Sequence, residues 1–293
     1  MRHERTIGGT IANICIYTFL SLFALSIIFP FYNMVILSLS TFADAATTRF
    51  VPLPANLTFE NYERIFADPQ ILTSFWISFQ NVVFGTSMAL VITVFTAYAL
   101  SRRNLPGRKF MFYFMVITMF FSAGLVPWYL VMVNLGFVNN FWVMTVPGIL
   151  STFNVILVRN YFMSLPESIE ESARIDGAGE FIIMWRIIVP LSMPIMATVA
   201  LFYAVGFWNS WFNAMIFIQD RSMIPIALVL RRLVIENSMT INDPMGLAVA
   251  AQLVHSRALE LATVTVATIP ILLVYPFLQR YFTKGIILGA VKA

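Results

Sequence analysis

Six stretches of the chain lack Asp, Glu, Lys, Arg and His and are long enough to cross a bilayer, the fourth only just. They are residues 11–39, 75–101, 110–134, 142–158, 187–219 and 261–279. About 20 residues at 1.5 Å rise span the hydrocarbon, so the pattern predicts six membrane helices. Several spans contain Pro or Gly: Pro30, Gly85, Gly124 with Pro127, Pro147 with Gly148, Pro194 and Pro270. Membrane helices tolerate these where neighbours re-satisfy the freed backbone groups. Between the first two spans, "LTFENYERIF" predicts a surface helix capped by Thr58 or Asn56. Between the last two, "PIALVLRRLVIEN" and "PMGLAVAAQLVHSRALE" have helical spacing and mixed polarity, suited to a membrane surface or a cavity. No linker, repeat period or inverted duplication is visible, so residues 1–293 read as a single transmembrane domain.

Composition agrees with this reading. The chain is 59% hydrophobic with a mean hydropathy of +0.83 and only 11% charged residues, against about 25% in a soluble domain. The net charge of +4 is better explained by positive-inside bias than by nucleic acid. Six spans leave twelve of the 18 Lys and Arg on the side that holds both termini, and the short loop "SRRNLPGRK" votes most clearly. That side is therefore expected to be cytoplasmic. Trp76 and Trp142 then fall at outer span ends and Trp185 at an inner one. The start "MRHERTIGGT" resembles a signal n-region, but the following apolar run far exceeds the 7–15 residues of an h-region, so an uncleaved first span is expected. Cys15 is the single cysteine and excludes a disulfide within the chain.

Some chemistry is missing. There is no G-x-x-x-x-G-K-[ST] loop. His3 and His255 have no nearby Cys partner, so no metal site is expected. The spans hold no ionisable coupling group of the kind that proton- or ion-driven transporters use. Energy for transport would have to come from elsewhere.

One short segment stands out. "ESIEESARIDGAGEFIIMWRIIVP", Glu167 to Pro190, packs six charged residues into its first fourteen positions. Ser164-Leu165-Pro166-Glu167 fits a capping box, with Ser164 as cap. Leu165, Ile169 and Ala173 form a narrow apolar stripe, and acidic residues suit the first turn. Gly177 should end the helix in the left-handed conformation, and a second helix should start near Glu180 and run into the fifth span. A helix this short needs a partner surface.

The segment resembles the EAA loop of permease subunits in binding-protein-dependent ABC importers. Glu171-Ser172-Ala173, Asp176-Gly177-Ala178 and Val189-Pro190 stand at the family spacing, with Ser172 and Val189 as departures. "ILVRNYFMSLPESIEESARIDGAGEF" and the ending "LQRYFTKGIILGAVKA" look like the carbohydrate, maltose-permease-like branch, although Ala293 stands where glycine is usual. The resemblance implies a type I importer permease in a bacterial inner membrane, with residues 164–190 as a cytoplasmic coupling loop. It implies that Glu171 makes charge-assisted contacts with an ATPase, Ala173 packs in the ATPase groove, and Gly177 sets the turn. Asp176 is either an internal cap or a partner contact. The tail Gly285–Ala293 would reach between the ATPase subunits. Expected partners are a cytoplasmic ABC ATPase dimer, a second homologous permease subunit, an extracytoplasmic solute-binding protein, an oligosaccharide and membrane lipid, but no nucleic acid. This chain would be non-catalytic and bind no cofactor, with ATP and Mg held by the ATPase.

Sugars are recognised by aromatic faces and by amide and hydroxyl groups. Candidates along the path are Trp128, Tyr129, Phe153, Asn154, Trp208, Asn209, Trp211 and Asn213. Asn209 and Asn213 are one helical turn apart. Buried amides must find partners, so these face protein or a cavity, and hydrogen bonding between helices is the alternative. Arg231, Arg232 and Arg257 on the outer side would favour an acidic glycan. The competing reading of the whole chain is a stand-alone sugar facilitator or secondary transporter; a membrane-embedded enzyme lacks a recognisable constellation.

Overall fold

A chain this apolar must make its backbone hydrogen bonds within each segment, and helices do so. The computed structural model describes residues 7–41, 56–240 and 258–273, and among these it is all-α, with a single isolated bridge, Ser40 to Leu57, and no strand. The helices are α1 (Ile7–Ser38), α2 (Glu60–Ala67), α3 (Pro69–Ser101), α4 (Arg108–Phe120), α5 (Leu125–Asn134), α6 (Trp142–Thr145), α7 (Thr152–Ser164), α8 (Glu167–Ile175), α9 (Glu180–Ile183), α10 (Met193–Trp208), α11 (Phe212–Phe217) and α12 (Ile226–Thr240). The last, α13, is Ala258–Leu273. Of the expected last span, residues 274–279 lie outside the described residues, as does the tail Gly285–Ala293.

The described residues divide into two units. In one, α1 exposes apolar side chains along most of its length, as a lipid-facing helix would. Its end is pinned to α2. Asn61 Nδ2 donates to the carbonyls of Ser38 and Ser40 at 2.9 and 3.1 Å, and the Ser38 and Tyr62 hydroxyls meet at 2.6 Å. Phe59 precedes α2 without a side-chain bond, and the expected Thr58 supplies the cap from one residue earlier, its hydroxyl accepting from Glu60 N–H at 3.2 Å.

The other unit comprises Pro69–Arg231 and, of the described residues, also 269–273, and is built around α3, which packs against α10 and α7. The reason is a stripe of small and polar residues: Ser74, Ser78, Asn81, Gly85, Ala89, Thr93 and Ala97 are all buried. Small residues at helical spacing let backbones approach closely where no hydrophobic force separates helix from lipid. Three expected spans are not straight helices. The third breaks at Phe121–Gly124 into α4 and α5, bent by 117°, with Gly124 at φ 84°. The fourth breaks after Pro147 and Gly148, where a 3₁₀ turn (Val146–Gly148) follows α6 and α7 leaves at 44°. The fifth passes from α9 through a π turn (Met184–Ile188) and a short helical turn (Val189–Leu191) into α10, then breaks again at residues 209–211. Pro194 causes no kink because it lies in the first turn of α10, where its missing N–H costs nothing.

Polar side chains of the bundle meet the backbone groups that these breaks free. Asn81 Nδ2 donates to Phe207 O at 3.0 Å, and Thr145 Oγ1 donates to Asn81 Oδ1 at 2.8 Å. Ser78 Oγ accepts from Ile226 N–H at 2.9 Å, and Tyr203 Oη accepts from Ser151 N–H at 3.1 Å while meeting Thr93 Oγ1 at 2.8 Å.

Phe207 wedges its ring between two glycines. A Cβ at Gly85 would stand 2.8 Å from that ring, and one at Gly148 would stand 2.9 Å from it. Overpacking a rigid, buried ring costs about 1–3 kcal/mol. Gly85→Ala should therefore lower the thermal unfolding midpoint of the detergent-purified protein, and Gly85→Ala with Phe207→Leu should recover part of the loss. An unaltered midpoint in the single variant would contradict this packing.

Candidate functional site

The acidic segment forms a helix–turn–helix whose inner face belongs to the chain's own core. Along the expected stripe, Leu165 and Ile169 are half-buried and Ala173 is buried, packed in the cluster that also holds Tyr98 and Phe162. Ala173 is thus covered by its own chain and does not face outward, unlike the packing role the resemblance gave it. Ser164 does not cap α8. It is the last residue of α7, its hydroxyl donates to Tyr161 O at 2.7 Å, and Pro166, which has no N–H to satisfy, stands at the cap.

The C-terminus of α8 closes as the glycine required. Gly177 has φ 82°; its N–H bonds Arg174 O at 3.0 Å, and Ala178 N–H bonds Ala173 O at 2.9 Å. These two bonds make a Schellman motif, and its usual apolar contact is supplied by Ala173 and Ala178 in the same cluster.

Ion pairs then tie α8 to α3. Arg102 holds Glu170 bidentately: Nη1 donates to Oε2, and Nη2 donates to Oε1 at 2.9 Å. Arg174 bridges Glu170 at 3.5 Å and Glu180 at 2.9 Å, and Tyr98 Oη donates to Glu180 Oε2 at 2.6 Å. Planar two-point pairing of this kind fixes orientation as well as adding energy. The exposed pair Arg103–Glu167, at 3.1 Å, adds little. Burial works against the Arg102 charge, but its hydrogen bond to Glu170 and the nearby Tyr98 and Glu180 outweigh it and push its pKa up. The Tyr98 hydrogen bond, with Arg174 adding to it against some burial, holds the Glu180 carboxyl below its usual 4.5.

What remains outside this network is a small outward face. Glu171 and Asp176 are exposed, and among the described residues neither carboxylate has an ion-pair or hydrogen-bond partner. Ile175, one turn from Glu171, is 86% exposed. Sequence reasoning missed Ile175. Its signal was available: an isoleucine two positions off the apolar stripe of a short helix has no internal use.

The path residues separate into two groups. Trp128, Phe153, Asn154 and Asn213 line a cavity of about 730 Å³, together with Ser151 and Tyr203, which the sequence did not single out. Asn209, Trp211 and Asn213 line an adjoining hollow of about 360 Å³ that shares Gly206, Ser210 and Asn213 with the first. Asn209 and Asn213 do not lie on one continuous helix, because the break at residues 209–211 separates them. Tyr129 and Trp208 are packing aromatics, stacked on Phe217 at 5.4 Å and tilted on Phe75 at 6.2 Å. None of the residues lining the cavity or the hollow is charged. Arg257 lies outside the described residues. No group of three or more His, Cys, Asp or Glu among the described residues is placed to hold a metal.

A helical bundle with broken spans, an uncharged cavity and a tethered acidic loop helix defines a class of membrane transport component. The chain belongs to the family of binding-protein-dependent transport system inner membrane components, whose model matches residues 89–288. It is 38% identical over 291 residues to Protein LplC of Bacillus subtilis (strain 168), covering 99% of this chain and 97% of that one. It is 37% identical over 277 residues to the polygalacturonan/rhamnogalacturonan transport system permease protein YtcP of the same organism, covering 94% and 96%. Among solved structures, it superposes on a chain of a bacterial ABC transporter involved in the import of the acidic polysaccharide alginate. The TM-score is 0.85 at 31% identity, covering 96% of this chain and 99% of that one.

The depressed Glu180 pKa sets a pH dependence. Its stabilisation is complete above the usual carboxyl value of 4.5 and is lost as pH falls through the lower folded value. Between pH 6 and 3 (a window of about 3 units around that value), the unfolding midpoint of the purified protein should fall more steeply than that of Glu180→Gln. Parallel curves would show that Glu180 contributes nothing there.

Proposed function

We propose that this chain forms half of the translocation path of an ATP-driven importer for an oligosaccharide, an acidic one, delivered by an extracytoplasmic binding protein. The observation that carries the coupling role is the geometry of α8. It is locked to the end of α3 by Arg102 and to α9 by Arg174, yet presents Glu171 and Ile175 uncovered. A helix fixed on one face and bare on the other is suited to transmit movement from a partner. The partner is a cytoplasmic ABC ATPase dimer, which binds ATP and Mg; this chain is non-catalytic. ATP stabilises one of two states of the complex, and the two differ in which side of the membrane the cavity opens to.

A second homologous permease subunit completes the path. The lack of charge around the cavity supports this energy source, since nothing there resembles an ion-coupling group. Arg102 and Arg103 in the basic loop pair with α8, which puts that loop and α8 on one face and supports a cytoplasmic position for both. The acidic class of substrate rests on the relatives. Polygalacturonan and alginate are both uronate polymers, and those names belong to a relative and a solved neighbour that match nearly the whole chain.

Glu171→Lys and Ile175→Asp should abolish co-purification with the ATPase or lower binding-protein-stimulated ATP hydrolysis at least about tenfold. The unfolding stability of the chain itself should change by under about 0.5 kcal/mol, because neither side chain has an internal partner. Normal assembly and full stimulation in both variants would sink the coupling role of α8.

A further inference from the structure

Arg231, like Arg108, is a half-buried arginine without an ion pair among the described residues, whereas two others of its unit are held by polar partners. Arg102 is held by Glu170, and Arg159 donates to the Leu100 carbonyl at 3.0 Å and to Asn160 at 3.1 Å. Arg231 has no ion pair or hydrogen bond among the described residues. Its Nε is shielded from water and left without an acceptor. A buried donor without a partner is costly, and in native proteins it calls for an explanation.

What does hold Arg231 is an indole. Its guanidinium carbon lies 3.5 Å from the centroid of the Trp211 ring. Stacking of this kind fixes the plane of the guanidinium and directs its N–H groups sideways, past the edge of the ring. An oriented fork of donors matches the planar face of a carboxylate, which is the arrangement Arg provides better than Lys. Trp211 is also a wall of the 360 Å³ hollow, beside Asn209, Ser210 and Asn213. In that wall Asn209 Nδ2 is engaged with Val205 O at 2.9 Å and Asn213 Nδ2 with Val143 O at 3.3 Å. Their carboxamide oxygens are the acceptors left for hydroxyl groups. The hollow continues into the uncharged 730 Å³ cavity through Gly206, Ser210 and Asn213.

The geometry points to a uronate subsite: Arg231, oriented by Trp211, pairs with the carboxylate of a sugar whose hydroxyls are met by Asn209 and Asn213. Arg231 would then be the residue through which this chain discriminates acidic from neutral sugars. The inference rests on the proposed import of an acidic oligosaccharide and deepens it. It explains how a hollow with no charged lining residue receives a charged substrate, the cation being the one stacked on its Trp211 wall, since a desolvated carboxylate needs a paired cation.

The test uses the complete importer in proteoliposomes with saturating binding protein and trigalacturonate as the probe. Arg231→Met, which keeps the bulk and removes the charge, should lower uptake about 10- to 100-fold, the range expected for loss of a charge-assisted hydrogen bond. Arg231→Lys should retain more uptake than Arg231→Met. Binding-protein-stimulated ATP hydrolysis should stay within about twofold in both, since Arg231 lies outside the coupling network. Equal uptake in the Lys and Met variants, or a matching fall in ATP hydrolysis, would make Arg231 a packing residue and overturn the subsite while leaving the importer reading intact. Failure of the unaltered importer to take up trigalacturonate, together with uptake of a neutral oligosaccharide, would instead overturn the acidic substrate class and the subsite with it.

Discussion

The bundle depends on one constraint: a backbone group freed by a helix break inside an apolar bundle has no water to turn to. Each such group left unpaired costs about 1–3 kcal/mol. Three of the spans are broken, at Phe121–Gly124, after Gly148 and at residues 209–211. Polar side chains from neighbouring helices meet several of the freed groups. Asn81 takes the Phe207 carbonyl and Tyr203 takes the Ser151 N–H, and Ser78 does the same for the Ile226 N–H that opens α12. The same residues that give α3 its small-residue stripe therefore make the breaks affordable. The breaks in turn open the cavity, because Ser151, Ser210 and Gly148 line it where straight helices would have packed.

A second consequence concerns α8. Helices of nine residues are not stable alone in water. This one is stabilised by Ala173 in the core, by the Schellman closure at Gly177, and by Arg102 and Arg174. Since Arg102 follows directly on α3 and α3 packs along α10 and α7, a displacement of α8 loads the bundle through its central helix. The intervening links are the bidentate Arg102–Glu170 pair and packed side chains rather than flexible loop, so the displacement is not dissipated on the way.

Much of this was legible in the sequence, and the parts that were not have a common cause. The apolar stripe of α8 and the left-handed Gly177 follow from local rules, and the structure has them. The Ser164 cap failed because α7 runs on through that residue, and a capping-box pattern cannot show where the preceding helix stops. Ala173 was expected outward because the family motif gives residues and not faces. The partners of Glu170 and Glu180 lie 68 and 82 positions away, beyond any periodicity argument. Asn209 and Asn213 were given one helical face because nothing in "FWNSWFNAM" other than its polar centre announces a break. Even so, their polarity correctly marked a cavity wall.

The unpaired state of Arg231 gains weight from the way this chain treats its other charges. In the described loop around α8, cations are matched to carboxylates at contact distance: Arg102 and Arg174 with Glu170, Arg174 with Glu180, Arg103 with Glu167. Near Trp211, by contrast, no described carboxylate pairs with Arg231; α12 also carries Glu236, whose side chain lies outside the described residues. A neutral pair there would fix the stack equally well. It would also fill the one position from which a carboxylate-bearing ligand could be held. A cation that is oriented but not neutralised is what recognition of an anion demands, because internal neutralisation would have to be broken before each binding event. Structural stacking alone explains the indole contact; it does not explain a half-buried guanidinium with no carboxylate beside it among the described residues.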